Sequence, residues 1–212
     1  QGVSSAASDV YKRQMIHTGI VQYLSEIDTN IFLSFNGIHS PFWDYFMSSF
    51  TGKFIWIPMY ATILYILLKN FHWKVVLCYV AAIALTITFA DQMCSSIIRP
   101  VVARLRPANP ENPIVDLVYI VNGYRGGSYG FPSCHAANSL GLAMFVIFLF
   151  RKRWLSIFIL TWAILNCYTR IYLGVHYPGD LLVGGIIGGF GGWLFCTIAH
   201  KAAIYLEPST RT

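Results

Sequence analysis

Charge is what this sequence has least of. Only 11% of its 212 residues are Asp, Glu, Lys or Arg, while 56% are hydrophobic. A soluble domain carries roughly twice that share of charge. So little polar surface excludes an ordinary soluble enzyme. It also excludes a nucleic-acid binder, despite a net charge of +6, because no polar face remains to carry a basic patch. Cysteines are few and unpatterned, with no CxxC pair and no Cys/His ligand ladder. Cys78, Cys94, Cys167 and Cys196 stand inside apolar runs, so they are expected as buried packing groups. Soluble repeats and low-complexity tracts are missing too. Residues 1–14 lack any apolar pattern, and no apolar core of a secretory signal follows Lys12 and Arg13. They are expected to be a non-native or disordered leader, with residues 15–212 forming one membrane-embedded domain.

What the chain has is apolar length. Five stretches, 54–69, 74–98, 136–151, 154–172 and 179–200, approach the roughly 20 residues a helix needs to cross hydrocarbon. They predict an all-α polytopic membrane helix bundle with about five transmembrane helices. Connectors 70–73 and 151–153 are short, so the helices they join should pair as antiparallel hairpins. Residues 15–50 are more mixed. Ile16, Ile20, Tyr23, Leu24 and Ile27 recur at helical spacing, and Phe42, Trp43, Tyr45, Phe46 and Phe50 cluster. These features predict helices lying at the membrane interface. In the last stretch Gly184, Gly188 and Gly192 follow at four-residue spacing. That pattern allows close helix approach, expected here within the monomer rather than at a dimer face; the oligomeric state stays open.

Lys69, Lys74, Arg151, Lys152, Arg153 and Lys201 fall on one side of this bundle, the cytoplasmic side by the positive-inside rule. Arg99, Arg104, Arg106, Arg125 and Arg170 fall on the other. The rule is decisive only if those arginines are committed to a site. Three clusters at that end suggest that they are. In Arg99–Pro107, Arg99 and Arg106 are seven residues apart, about two helical turns, so a helix would place both on one face. Guanidinium forks suit phosphate oxygens; Arg104 reads as an interfacial anchor. In Phe131–His135, Ser133 is a plausible helix cap, and the free N–H groups of the first turn make an anion site beside Cys134 and His135. In Thr169–Asp180, Pro178 suits the first position of a helix. Asp180 then lies in its first turn, one turn from His176, where its carboxylate can fix the imidazole tautomer. Arg170 is a third phosphate-binding candidate. A zinc site built from Cys134, His135, His176 and Asp180 competes, but the nearby arginines would repel a cation. Asp91, deep in an apolar stretch, reads either as a functional group or as a structural hydrogen-bonding link to a neighbouring helix, and is left out of the catalytic set. The loop 104–135, rich in Pro and Gly, reads as a functional mouth or lid.

Together the three clusters resemble the signature of the type 2 phosphatidic acid phosphatase family: Lys-x6-Arg-Pro, Pro-Ser-Gly-His and Ser-Arg-x5-His-x3-Asp. Order and spacing match, with Arg99 for the lysine, Cys134 for the glycine and Thr169 for the serine. The resemblance implies a membrane phosphatase that needs neither metal nor cofactor. His176 would attack phosphorus to form a phosphohistidine, and Asp180 would orient it. His135 would act as general acid and then base. Arg99, Arg106, Arg170, Ser133 and the Cys134 backbone would hold the phosphate. A Cys134 side chain must turn away from the anion or narrow the pocket. The implied substrate is a lipid-linked phosphomonoester or pyrophosphate, with undecaprenyl pyrophosphate first and phosphatidylglycerophosphate, phosphatidic acid or lipid A as alternatives. The implied place is the outer, periplasmic face of the inner membrane. An anionic-lipid transporter is the rival class, but the charges gather at one end rather than at the midplane.

Overall fold

The computed structural model describes residues 3–52 and 54–206, with side chains from residue 19 onward. The expectation of a leader over residues 1–14 therefore rests on side chains outside the described residues. The described chain is all-α. Its helices are α1 (Val3–Asn36), α2 (Pro41–Phe50), α3 (Ile57–Asn70), α4 (Trp73–Asp91), α5 (Arg99–Val102), α6 (Cys134–Phe150), α7 (Arg153–Tyr172) and α8 (Pro178–Leu206). A π-helical segment, Gln92–Ile98, carries α4 directly into α5.

Local sequence sets the boundaries. Ser40 caps α2 by accepting from the Trp43 N–H, with Pro41 in the first turn. Ser133 does the same for α6, accepting from the Ala136 N–H at 3.4 Å. Pro178 opens α8. Ala103, at φ +48°, ends α5 in the left-handed region.

Helix α6 is the axis of the bundle. Ala143, Phe145 and Val146 are fully buried, packed with Tyr79 of α4, Ile159 of α7 and Ala199 of α8. Glycines let α8 lie against α6 backbone to backbone. A methyl group on Gly184, Gly188 or Gly192 would strike the carbonyl oxygen of Ser133, Ala137 or Gly141 respectively. The glycine pattern thus serves packing within the monomer. Outward side chains such as Leu77, Leu85, Ile157, Ile164, Leu182 and Ile186 are exposed and apolar, as a lipid-facing belt requires.

Among the described residues three continuous helices, Trp73–Val102, Arg153–Tyr172 and Pro178–Leu206, are long and apolar enough to cross a membrane, and Pro41–Phe50 with Phe54–Asn70 make a fourth if counted as one bent span. The chain is thus a polytopic membrane helix bundle. Of the five expected spans, 136–151 corresponds to α6, which has only 17 residues. Two of the four cysteines expected to be buried, Cys78 and Cys167, are only partly so.

The long connection from Ala103 to Ser133 is a folded strap. Leu105 bridges to Tyr129, and the Ala108 N–H donates to the Gly174 carbonyl at 3.0 Å. Asn36, at the end of α1, donates to the carbonyls of Tyr119, Ile171 and Tyr172 and accepts from the Tyr119 N–H. Asp44 of α2 accepts from the hydroxyls of Tyr119 and Tyr172. The first two helices are therefore tied to the strap and to the end of α7, directly over the site.

Candidate active site

The strap, the turn after α7 and the first turns of α6 and α8 converge at one end of the bundle. His176 lies in the turn between α7 and α8 and is 2% exposed. Its Nδ1 is 3.2 Å from Asp180 Oδ2, and its Nε2 is 3.0 Å from Arg106 Nη1. Arginine only donates, so Nε2 must accept. That places the ring proton on Nδ1, donated to Asp180, and leaves the Nε2 lone pair facing the guanidinium. Burial holds the His176 pKa well below its ordinary value, and the charges of Arg106, Arg170 and Arg99 push it the same way. The ring is neutral at physiological pH.

Asp180 is fully buried. Its Oδ2 also accepts from the Tyr177 N–H at 3.1 Å, and its Oδ1 accepts from Arg104 Nη1 at 3.1 Å. The Asp180 carbonyl in turn accepts from the Ser133 N–H at 3.0 Å, so the starts of α6 and α8 are joined. Gly130 lies flat on the His176–Asp180 pair. A methyl group there would come within 2.9 Å of Asp180 Oδ2 and 3.4 Å of His176 Nδ1.

Arg99 and Arg106 do not share a helical face as the sequence suggested. Ala103 ends the helix, and the strap brings Arg106 back by pairing its N–H with the Ser128 carbonyl and its Nε with the Tyr129 carbonyl. Burial and the charges of Arg99 and Arg170 lower the Arg106 pKa to about 10, which leaves it charged at neutral pH. Arg99 donates from Nη2 to the Pro132 carbonyl and to Cys134 Sγ, each at 2.9 Å. The Cys134 side chain is accordingly drawn to Arg99. Arg170 is buried and donates to Thr51 Oγ1 at 3.0 Å and to the Tyr124 hydroxyl at 3.3 Å. Burial raises the Tyr124 pKa, but the Arg170 hydrogen bond and the charges of Arg170 and Arg106 outweigh it and lower the value overall. Among the described residues none of Arg99, Arg106 and Arg170 makes a salt bridge. Three cations thus converge without a carboxylate partner, as an anion site requires.

His135 stands in the first turn of α6, with Nε2 3.2 Å from Thr51 Oγ1. Intrahelical bonds cannot serve the first N–H groups of that turn, those of Cys134 and His135. Below His135 and Thr51 opens an apolar cavity of about 560 Å³, lined by Trp56, Ile63, Leu67, Ile83, Leu142 and Trp162 among others. From His135 to Leu142 it runs about 10 Å along α6.

The PAP2 superfamily model matches residues 75–204, which include all three clusters. The chain belongs to the PAP2 superfamily. It is a membrane phosphatase. Curated relatives include a "Lipid A 4'-phosphatase" of Bacteroides thetaiotaomicron, 75% identical over 191 residues, covering 90% of this chain and 85% of that protein. Another of the same description, from Porphyromonas gingivalis, is 35% identical over 90% of this chain and 86% of its own length. A crystal structure of a PAP2-type phosphatidylglycerolphosphate phosphatase from Bacillus subtilis shares the fold, with TM-score 0.60, 22% identity, and coverage of 84% of this chain and 87% of that one.

Besides the shared face of Arg99 and Arg106, one further reading of the sequence is corrected. Arg104 is no interfacial anchor, because Nη1 lies 2.6 Å from Asp28 Oδ2 as well as against Asp180. The zinc reading is not assembled either. Cys134 turns to Arg99 and His135 to Thr51, and no group of three or more His, Cys, Asp or Glu could hold a metal among the described residues. Asp28 and Thr51 lie outside the motifs, and nothing local distinguishes them from ordinary polar residues; Tyr124 also lies outside the motifs but falls in the loop 104–135 that reads as a functional mouth.

Proposed function

We propose that this chain is a lipid A phosphatase, removing a phosphate from the lipid A disaccharide at the outer, periplasmic face of the inner membrane. The observation that carries the substrate is the 75% identity to a lipid A 4'-phosphatase over nine-tenths of the chain, and it favours lipid A over undecaprenyl pyrophosphate. The apolar cavity beside His135 supports a substrate whose phosphate stays joined to acyl chains. In this reading α3 and α6 also cross the bilayer, giving five spans, and residues 15–212 are the working unit. The cytoplasmic side is the one bearing Arg151, Lys152 and Arg153.

The geometry supports one order of events. Phosphate oxygens displace the Arg106–His176 contact and lie among Arg99, Arg106, Arg170, the Ser133 hydroxyl and the first-turn N–H of Cys134. The negative charge of the transition state is met there by fixed donors. His176 Nε2 attacks phosphorus, and Asp180 stabilises the positive charge that develops on the ring. His135 protonates the leaving sugar oxygen, then takes a proton from the water that hydrolyses the phosphohistidine. The arginines supply the positive charge that a metal would otherwise supply, so phosphate release should persist in EDTA.

The test is phosphate release by purified enzyme from lipid A, undecaprenyl pyrophosphate and phosphatidylglycerophosphate, each with His176→Ala as control. The reading expects lipid A to give the highest kcat/KM, with loss of the 4'-phosphate by mass spectrometry. Preference for undecaprenyl pyrophosphate would overturn the substrate, and full activity of His176→Ala would overturn the mechanism.

A further inference from the structure

Asp28 lies on α1, outside the matched region 75–204, yet it is bonded both to the first turn of α8 and to the strap. Its Oδ1 accepts from the Gly179 N–H at 2.7 Å, and its Oδ2 lies 2.6 Å from Arg104 Nη1. Gly179 is in the first turn of α8, where backbone donors have no intrahelical partner. Asp28 therefore caps α8 from another helix, and its charge suits the positive end of the helix dipole. The fit is close, since a methyl group on Gly179 would come within 2.8 Å of Asp28 Oδ2.

Arg104 links this carboxylate to the site. The same Nη1 also lies 3.1 Å from Asp180 Oδ1, and the guanidinium stacks on the Tyr177 ring at 3.8 Å. Asp180 has one oxygen on Arg104 and the other on His176 Nδ1. Three groups thus fix its rotation: the imidazole and the Tyr177 N–H at Oδ2, and Arg104 at Oδ1. Asp28 holds Arg104 in turn and draws off part of its charge, so that Arg104 does not turn to the phosphate.

We propose that Asp28 and Arg104 are positioning residues for the nucleophile, acting through Asp180. The proposal rests on His176 being that nucleophile. Neither residue touches the substrate. Asp28 and Arg104 set the plane of the Asp180 carboxylate, and that plane sets the tautomer and direction of His176. The amino-terminal helix is on this account part of the catalytic machinery, and the family region alone would be a poor enzyme.

The experiment compares Asp28→Asn, Arg104→Ala, Arg104→Lys and Gly179→Ala in the full chain, with His176→Ala alongside. Misorientation of a reacting group costs up to about 100-fold. Asp28→Asn, Arg104→Ala and Gly179→Ala should each lower kcat by about 10–100-fold, with KM changed by less than about twofold. Inhibition by inorganic phosphate should stay at the wild-type level, because Arg99, Arg106 and Arg170 are untouched. Arg104→Lys should recover part of the loss. Gly179→Ala displaces Asp28 without removing any charge, so it carries the test even if a charge variant fails to fold. Wild-type kcat in both Asp28→Asn and Gly179→Ala would overturn the proposal. So would a rise in KM with weakened phosphate inhibition in Arg104→Ala, which would make Arg104 a phosphate ligand. An active His176→Ala would instead overturn the mechanism on which the proposal rests.

Discussion

Asp180→Asn tests the orientation of the nucleophile most directly. The carboxylate accepts at both oxygens, from His176 and the Tyr177 N–H at Oδ2 and from Arg104 at Oδ1. An amide keeps the shape but turns one oxygen into a donor. If the NH2 group faces Arg104, two donors meet. If it faces His176, Nδ1 must give up its proton to accept, and the proton moves to Nε2. There it faces Arg106 Nη1, 3.0 Å away, and the lone pair needed for attack is gone. A charge-assisted hydrogen bond contributes about 1.5–3 kcal/mol, and regaining the reactive tautomer costs a similar amount. Together these give about 3–6 kcal/mol, which is on the order of 10²–10⁴ in rate. The assay is phosphate release from lipid A at saturating substrate. The expected result is a fall in kcat of about 10³-fold with KM little changed. A loss of less than about tenfold would refute the assignment of Asp180 as the group that fixes the tautomer.

Other perturbations probe separate parts of the site. The His176 pKa lies well below its ordinary value of 6.5, so the ring should be neutral at that pH, where a free imidazole is half protonated. Nitrogen NMR of labelled histidine, with His176→Ala to identify the signals, checks this; protonation at 6.5 or above refutes it. Thr51→Val removes the hydroxyl that touches both His135 Nε2 and Arg170 Nη1. With burial unchanged it should lower kcat/KM by about tenfold, the worth of one such hydrogen bond. In Gly188→Val the new side chain drives into the Ala137 carbonyl, so thermal unfolding in detergent should show a loss of about 3 kcal/mol or more. An unchanged midpoint would mean that α6 and α8 are not in backbone contact.

Motif spacing made one side of the site legible. The x3 interval from His176 to Asp180 is one helical turn, and it correctly brings imidazole and carboxylate together. Arg106 was identified, but the route to it was misread. Seven-residue spacing implies a shared helical face only while the helix lasts, and nothing in the sequence around Ala103 signals a left-handed stop. Arg104 was misread because an arginine at a membrane-helix end looks the same whether it anchors at the interface or pairs with a carboxylate 76 residues away. Hydrophobic runs located the bundle helices well. What periodicity and length could not tell was that α6 is enclosed by its neighbours rather than facing lipid.

The glycine seam between α6 and α8 also bears on how the enzyme meets its bilayer. His135 and His176 are carried at the heads of two helices locked backbone to backbone, with the Ser133 N–H bonded to the Asp180 carbonyl at the top of the seam. Their separation is set by that lock and does not depend on the thickness or lateral pressure of the surrounding lipid. Helix α3, which forms one wall of the apolar cavity, buries only Ile63 and Leu67 and has no such lock. Hydrophobic mismatch tilts the helices that are least held. In membranes of differing thickness the chemical step should therefore keep its rate, while the ease with which a lipid enters the cavity should vary.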